Sequence, residues 1–250
     1  MSEALRSSGP SRLDRLPVNT PLLDEIALAG PEHFDPGYVK NYDRKAAFDP
    51  SADLALLRER GLSADSTLLD FGAGTGTFAL AAAPECRRVV AADVSPAMIE
   101  ATQAKMTELG LTNLECAHAG YLTYEHTGAP ADFIYSRNAL HHLPGFWKAI
   151  ALSRMVDVLR PGGVLLLRDI VFAFEPRDTE ARISAWLETG AVRAEEGWTR
   201  DELEAHLRNE HSTFSWLLEL MIEHAGFEIE RRDYDSLKVY ASYICAKPRR

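Results

Sequence analysis

A glycine-rich turn between an apolar segment and a helix constrains this chain more than any other feature. Leu68–Phe71 is an apolar run that predicts a buried strand, and Gly72-Ala73-Gly74-Thr75-Gly76 follows it directly. Glycines at alternate positions let the backbone turn tightly and approach a bound ligand closely. Asp93 ends the next predicted strand, about twenty residues further on, where a carboxylate can accept hydrogen bonds from ribose hydroxyls. Together these features indicate a cradle for a nucleotide-like ligand.

The chain then alternates short apolar strands with amphipathic helices as far as residue 174. This alternation is typical of parallel strands that are covered by helices on both faces. The sequence therefore predicts a doubly wound, Rossmann-like α/β fold with a seven-stranded mixed sheet, a terminal antiparallel hairpin and a helical cap. The predicted segments are an N-terminal arm with lid helices (1–48), the α/β core (49–174), the helical cap (175–225) and the hairpin (226–250).

Composition excludes several other classes of protein. The net charge of −10 argues against a broad nucleic-acid-binding surface, because an acidic chain repels phosphate backbones. The three cysteines show no metal-ligand spacing, so we expect no metal site. No apolar run has the length of a membrane span and the N-terminus lacks an apolar leader, so we expect a cytoplasmic protein without membrane contact. The oligomeric state stays open.

The spacing within the loop discriminates between cofactors. Dinucleotide-binding loops follow the pattern G-x-G-x-x-G. This loop instead reads G-x-G-x-G, and Thr77 stands where that pattern has its last glycine. Asp70 adds a carboxylate beside the loop, which disfavours a diphosphate and tolerates a ligand that bears an ammonium and a sulfonium. S-adenosylmethionine is such a ligand. The predicted cofactor contacts around the loop are Asp70, Gly72, Ala73, Gly74, Thr75, Gly76 and Asp93.

Four segments, in this order, resemble the motifs of the class I S-adenosylmethionine-dependent methyltransferases, in their broad small-molecule branch. They are Leu68–Thr77, Ala91–Met98, Asp132–Leu143 and Leu159–Leu166. The resemblance covers roughly residues 38–175, and the terminal hairpin in architecture. It implies S-adenosylmethionine as cofactor and S-adenosylhomocysteine as product. It also implies that Asp93 holds the ribose and that Val94 and Met98 flank the adenine.

The chain departs from this family after the third strand. Many relatives carry an aspartate there that bonds the adenine amino group, but this chain has Ala119-Gly120-Tyr121. We expect the backbone of Gly120 and stacking by Tyr121 to take over this contact.

Residues that follow the later strands are candidates for chemistry. His141 and His142 lie near the expected methyl group, and either imidazole can serve as a general base near neutral pH or simply pack in its loop. Arg137 and Asn138 end the fourth strand and are predicted, with Tyr42, to contact the cofactor. The predicted substrate contacts are Tyr38, Arg168, Asp169, Arg208 and His211, each of which has an alternative as a packing or solvent-exposed residue.

The resulting prediction is methyl transfer from S-adenosylmethionine to a small molecule. A methyltransferase that acts on protein or tRNA is an alternative, although the acidic pair Asp201-Glu202 in the predicted cap disfavours it. A non-catalytic binder of S-adenosylmethionine is a second alternative. A nicotinamide oxidoreductase is a third, disfavoured by Thr77 and by the lack of a Tyr-x-x-x-Lys pair.

Overall fold

A mixed β-sheet forms the centre of the molecule. The structure is a computed structural model that describes residues 24–194 and 196–249; residues 1–23 of the predicted N-terminal segment lie outside them. Within these residues seven strands follow one another across the sheet in the order β3-β2-β1-β4-β5-β8-β7. They are β1 (Thr67–Phe71), β2 (Arg88–Asp93), β3 (Leu114–His118), β4 (Ala131–Arg137), β5 (Leu159–Phe172), β7 (Glu228–Tyr234) and β8 (Tyr240–Ala246).

Strands β1 to β5 are parallel, and β8 and β7 continue the sheet in antiparallel pairs. Every residue of β1 is buried, because this strand lies between β2 and β4 and is covered on both faces. This explains why its sequence is apolar rather than alternating. The predicted fold class, including the terminal hairpin, is confirmed.

Helices cover the two faces of the sheet. The α-helices of the described residues, on these faces and elsewhere, are α1 (Glu25–Leu28), α2 (Pro36–Ala46), α3 (Ser51–Glu59), α4 (Thr77–Ala82), α5 (Pro96–Glu108), α6 (Gly145–Val158), α7 (Thr179–Gly190), α8 (Arg200–Asn209) and α9 (Ser215–Ala225). Neighbouring residues of β1 point to opposite sides: Leu68 packs in a core with α3 and α4, and Leu69 packs in a core with α6 and α9. The chain thus builds two apolar layers around one sheet.

The region that was predicted as a cap divides into two parts. Helices α7 and α8 form a separate apolar cluster around Trp186 and Leu203, packed against the end of β5. Helix α9 instead buries Leu218 and Ile222 in the main core beside α6, so it belongs to the sheet layer rather than to the cap. A further short strand, β6 (Thr213–Phe214), pairs with the end of β5 and was not predicted. It brings the sheet to eight strands.

The strand order places a cleft at the carboxyl ends of β1 and β4. The chain winds outward from β1 through β2 to β3, and then returns to place β4 on the other side of β1. Neighbouring crossovers leave on opposite sides at such a point, which opens a crevice outside the strand ends where ligands bind in open α/β sheets. Across residues 24–194 and 196–249, no helix combines the length and the apolar character that crossing a membrane requires.

Candidate functional site

Two adjoining cavities occupy this cleft. The smaller has a volume of about 80 Å³ and the larger a volume of about 720 Å³. They share several wall residues, so a ligand in one borders the other. The shared residues are His33, Tyr42, Gly72, Gly74, Arg137, Asn138 and His142.

The glycine loop forms part of the wall that the two cavities share. Gly72 has a φ of +68°, and a side-chain carbon there would lie 2.3 Å from Cβ of Ala139, so only glycine fits. Gly74 lines both cavities, and its amide donates to Oδ2 of Asp93 at 2.8 Å. Gly76 lies outside both cavity walls, against Thr102 of α5. Gly72 and Gly74 therefore allow a ligand to approach the loop, whereas Gly76 allows the loop to pack against α5.

Asp93 ends β2 and lines the smaller cavity with Val94 and Met98. Its Oδ1 accepts a hydrogen bond from the amide of Ser95 at 2.8 Å, while Oδ2 accepts from Gly74. Burial raises the pKa of the Asp93 carboxyl, and the two amides act in the opposite direction. The carboxylate is thus held rigidly by backbone at the cavity wall, which suits the recognition of ribose hydroxyls.

Asp70 lies at the end of β1, where it lines the larger cavity together with Ala73 and Thr75. It is 2 % exposed, and its Oδ2 has no hydrogen-bond partner within the described residues. Burial, and then the nearby charge of Asp93, raise the pKa of Asp70 to about 8. A positive charge beside Asp70 would favour its ionised form, so this end of the site suits a cationic ligand.

The predicted aromatic and strand-end contacts also reach the cavities. Tyr38 and Tyr42 project from α2, with ring centroids 6.0 Å apart, and both line the larger cavity. Arg137 and Asn138 line both cavities, and Asn138 has a left-handed φ of +48°, which asparagine adopts more readily than most residues. The structure thus brings these four side chains to the cavities, and their contacts with cofactor and substrate stay predictions.

Tyr121 and Gly120 line the smaller cavity. The Tyr121 ring stacks on Phe71 with centroids 5.3 Å apart, and a 2.7 Å hydrogen bond joins its hydroxyl to that of Ser136. Its ring is therefore fixed by the core on one side and faces the cavity on the other. The carboxylate of Glu25, from α1, lies directly against Gly120.

His141 and His142 have different environments. His141 is 5 % exposed, and its Nδ1 hydrogen-bonds to Oδ1 of Asp169 while its Nε2 lies 2.8 Å from Oε2 of Glu210. Burial by itself lowers the pKa of His141, but the charges of Asp169 and Glu210 outweigh burial and raise it to about 9. His141 is therefore an imidazolium at neutral pH. Because both ring nitrogens already carry a proton, it is not in the form of a general base.

His142 lines both cavities, and its Nδ1 is buried without a hydrogen-bond partner in the described structure. Burial, and then the positive charge of His141, lower the pKa of His142 well below its usual range. Glu210 partly opposes this shift, because its Oε2 lies 3.9 Å from Nδ1 of His142. His142 is thus neutral at pH 7, and its imidazole lines both cavities.

A cluster of two imidazoles and a carboxylate forms the wall of the larger cavity. His141, His206 and Glu210 bring one donor atom each within 4.8 Å of the others, close enough to hold a metal ion. Glu210 Oε2 lies 2.5 Å from Nδ1 of His206, and the His206 Nε2 is joined to the Ser212 hydroxyl at 2.8 Å. Because His141 supplies a cation of its own, we interpret the cluster as an ion-pair network. Sequence spacing could not reveal it, since the three residues come from two distant segments.

Four of the predicted substrate contacts lie outside both cavity walls. Arg168 pairs with Asp53 of α3, with Nη2 and Oδ1 2.5 Å apart. Arg208 is exposed on α8 and pairs with Glu204. His211 is exposed, and its amide donates to the carbonyl of His141. Asp169 is buried, and its Oδ1 accepts hydrogen bonds from Nδ1 of His141 and from the amide of Ile170, so it contacts the cavity wall through His141.

Several cavity residues were missed by sequence reasoning. Glu25 and His33 come from the lid segment, and Trp198 and Glu210 come from the cap. None of them stands in a motif. Only the docking of lid and cap on the strand ends brings them into the cleft.

The doubly wound sheet, its glycine loop and the carboxylate of Asp93 together define a class of protein. Residues 68–163 match the family model of a methyltransferase domain. This segment is a methyltransferase domain, and the fold around it is that of the class I S-adenosylmethionine-dependent methyltransferases, whose cofactor is S-adenosylmethionine. The resemblance inferred from the four sequence motifs is confirmed.

Particular relatives share only part of the chain. The trans-aconitate 2-methyltransferase of Methylobacterium radiotolerans is 34% identical over 121 residues, which are 48% of this chain and 43% of that protein. The 27-O-demethylrifamycin SV methyltransferase of Amycolatopsis mediterranei is 32% identical over 155 residues, 59% of this chain and 54% of that protein. This chain thus spans about half the length of these curated relatives.

A solved structure shows the same fold over a longer stretch. The S-adenosylmethionine-dependent methyltransferase from Aquifex aeolicus matches with a TM-score of 0.60 and covers 86% of this chain and 99% of that one. Its sequence is 22% identical, so the likeness concerns the fold alone. The comparisons therefore define the family and the fold, and leave the acceptor to be argued from the cavity.

Proposed function

We propose that this chain transfers the methyl group of S-adenosylmethionine to a small-molecule acceptor bound in the larger cavity. The continuity of the two cavities carries this proposal. Asp93, Val94 and Met98 line the smaller cavity, where an adenosine would be held, and Gly72, Asn138 and His142 line both. A cofactor that spans the loop would therefore present its reactive end to the larger cavity.

The shape of the larger cavity favours a small acceptor. Tyr38 and Tyr42 of the lid form part of its wall, and Trp198 and Glu210 of the cap form another part. A volume of about 720 Å³ is within the range of small-molecule sites. The two named relatives are, by name, methyltransferases of trans-aconitate and of a rifamycin, which supports the same class of acceptor. The alternative of a protein or tRNA acceptor would require an open rim.

The polar wall of this cavity suits an acceptor that loses a proton. When bound, S-adenosylmethionine supplies a methyl group on a sulfonium whose positive charge disappears as the methyl leaves. His142 is neutral and lines both cavities, so its imidazole can accept the acceptor's proton. Glu210 stabilises the positive charge that results on His142, because its Oε2 lies 3.9 Å from Nδ1 of His142. The sulfonium, which would repel that charge, becomes neutral in the same reaction.

His141 has a positioning role in this proposal. Its imidazolium is held between Asp169 and Glu210, so it fixes the Glu210 carboxylate at the cavity wall. The protein otherwise contributes alignment and exclusion of water, since in-line transfer to a nucleophile needs little more once the reactants are oriented.

Calorimetry and a labelled methyl group test the proposal. We expect the purified protein to bind S-adenosylmethionine and S-adenosylhomocysteine, and not NAD. Incubated with methyl-labelled S-adenosylmethionine and a cell extract, it should place label in the small-molecule fraction and form S-adenosylhomocysteine. Label found only in protein or RNA would favour the alternative acceptors. Binding without any turnover against phenols, carboxylic acids and amines would favour a non-catalytic binder, and binding of NAD alone would remove the cofactor assignment.

A further inference from the structure

Glu25 is a buried carboxylate in the lid helix α1. It is 4 % exposed and lines the smaller cavity, where Asp93 is the other carboxylate among the described residues. Burying a carboxyl group is costly unless polar groups compensate it. The turn that follows β3 compensates the Glu25 carboxylate in part, and the same carboxylate borders the space in which a ligand can bind.

The turn that follows β3 holds the Glu25 carboxylate. Oε2 accepts hydrogen bonds from the amide of Leu122 at 3.0 Å and from the hydroxyl of Thr123 at 3.2 Å. Burial raises the pKa of Glu25 to about 7, although these bonds and the charge of Arg154 act to lower it. A side chain at Gly120 would meet both oxygens and the carboxyl carbon of Glu25, so the whole carboxylate lies against Gly120 at the wall of the smaller cavity.

Gly120 and Glu25 are complementary in shape. A side-chain carbon at position 120 would lie 2.4 Å from Oε1 of Glu25 and 2.6 Å from its carboxyl carbon. Any residue other than glycine would therefore displace the carboxylate. The position after β3 that carries no acidic side chain is thus filled by a carboxylate that arrives from the lid.

The two carboxylates of the smaller cavity are available to different parts of an adenosine. Asp93 is fixed by Gly74 and Ser95 beside the glycine loop, next to Val94 and Met98. Glu25 lies at Gly120, on the segment that follows β3. The polar edge of adenine offers an exocyclic amino group, which is a hydrogen-bond donor, and a buried carboxylate is a strong acceptor for it.

We propose that Glu25 accepts a hydrogen bond from the exocyclic amino group of the cofactor's adenine, and that the lid thereby determines base specificity. This proposal rests on the proposed function, since it requires S-adenosylmethionine in the cleft. It also replaces the expectation that Gly120 backbone and Tyr121 alone would contact the base. In this arrangement Gly120 makes room for the carboxylate, and Tyr121 forms part of the wall.

Calorimetry with two ligands tests base recognition directly. The ligands are S-adenosylhomocysteine and S-inosylhomocysteine, in which a carbonyl oxygen replaces the amino group. The wild-type protein should prefer the adenosyl ligand by at least about tenfold, as one charge-assisted hydrogen bond requires. Glu25→Ala should weaken the adenosyl ligand by about that factor and leave the inosyl ligand unchanged or tighter. Glu25→Gln should recover affinity for the inosyl ligand, because its amide can donate to the carbonyl oxygen.

Asp24→Ala is the matched control on the same helix, because it removes the side-chain acceptor of the helix cap. Asp24 is exposed and its carboxylate accepts from the amide of Ile26, so it acts on α1 without lining a cavity. Loosening α1 in this way should change both affinities by the same factor and keep their ratio.

Three results would overturn the inference. An equal loss of both ligands in Glu25→Ala would show a structural role. Unchanged or tighter binding of the adenosyl ligand would show that Glu25 does not contact the base, or blocks the site. A wild-type protein that binds neither S-adenosylmethionine nor S-adenosylhomocysteine would refute the proposed function itself, which is distinguishable from a failure at Glu25.

Discussion

Replacement of Asp93 by alanine should weaken binding of S-adenosylhomocysteine at least tenfold. The substitution removes the carboxylate that lines the smaller cavity and that fixes the amides of Gly74 and Ser95. It therefore removes the proposed ribose contact and loosens the glycine loop at the same time. Both effects act in the direction of weaker binding.

The magnitude follows from the number and kind of hydrogen bonds. A hydrogen bond to a charged group contributes about 1.5–3 kcal/mol. Water replaces part of the loss once the cavity is opened, so we take the lower end of one such bond as the minimum. About 1.4 kcal/mol corresponds to a tenfold change in the dissociation constant. Two ribose contacts would give a larger loss.

Asp132→Ala separates ligand binding from folding in this experiment. Asp132 also accepts a hydrogen bond from a backbone amide, that of Thr67 at 2.8 Å, but it lies at the start of β4 and outside both cavity walls. Titration calorimetry and a thermal melt should show lost stability with unchanged affinity for Asp132→Ala, and lost affinity for Asp93→Ala. A folded Asp93→Ala protein whose dissociation constant stays within about twofold of wild type would refute the ribose assignment.

Three further predictions address the rest of the site. His142→Ala should lower turnover about 100-fold or more, the usual contribution of a general base, while affinity for S-adenosylhomocysteine changes little; equal turnover in steady-state assays would leave His142 a packing residue. Binding of cationic S-adenosylmethionine should strengthen as pH rises through about 8, because Asp70 ionises there, and Asp70→Asn should flatten this dependence in calorimetry at several pH values; an equally steep dependence in the variant would assign the effect elsewhere. Dialysis against EDTA should change neither turnover nor melting temperature if His141, His206 and Glu210 form an ion-pair network, and stoichiometric metal in the purified protein by mass spectrometry would contradict that interpretation.

Local sequence patterns accounted for the central fold. The apolar run before Gly72 predicted β1, and Ser95-Pro96 predicted the start of α5, where the Ser95 hydroxyl accepts from the amide of Met98 as a helix cap. Such signals depend on residues only a few positions apart. These signals predicted the elements correctly because the residues that set the backbone geometry and the apolar pattern of an element all lie within one short segment.

The loop with Asp93 was also readable, because the first two strands are adjacent in the sheet. Asp93 meets Gly74 across neighbouring parallel strands, and the order of elements along the chain already places them together. The same reasoning located Arg137 and Asn138 at the end of β4. For residues that follow the central strands, position in the sequence nearly determines position in the cleft.

Residues outside that frame were not readable from local patterns. Arg168 ends in an ion pair with Asp53, and Arg208 with Glu204, although both had been predicted to face the acceptor. A charged residue at a strand end or in a helix does not reveal from the sequence whether it will form an ion pair with another element or face the acceptor.

The sequence by itself determined the doubly wound sheet, the glycine loop and the identity of the cofactor, because these depend on periodicity and on short spacings. Only the tertiary structure decided that α9 joins the core, that His141 is an imidazolium while His142 is neutral, and that Glu25 fills the space beside Gly120. These outcomes depend on which distant groups meet and on how much water is excluded where they meet. Burial and charge at a site are properties of the assembled lid, cap and sheet, and no single segment encodes them.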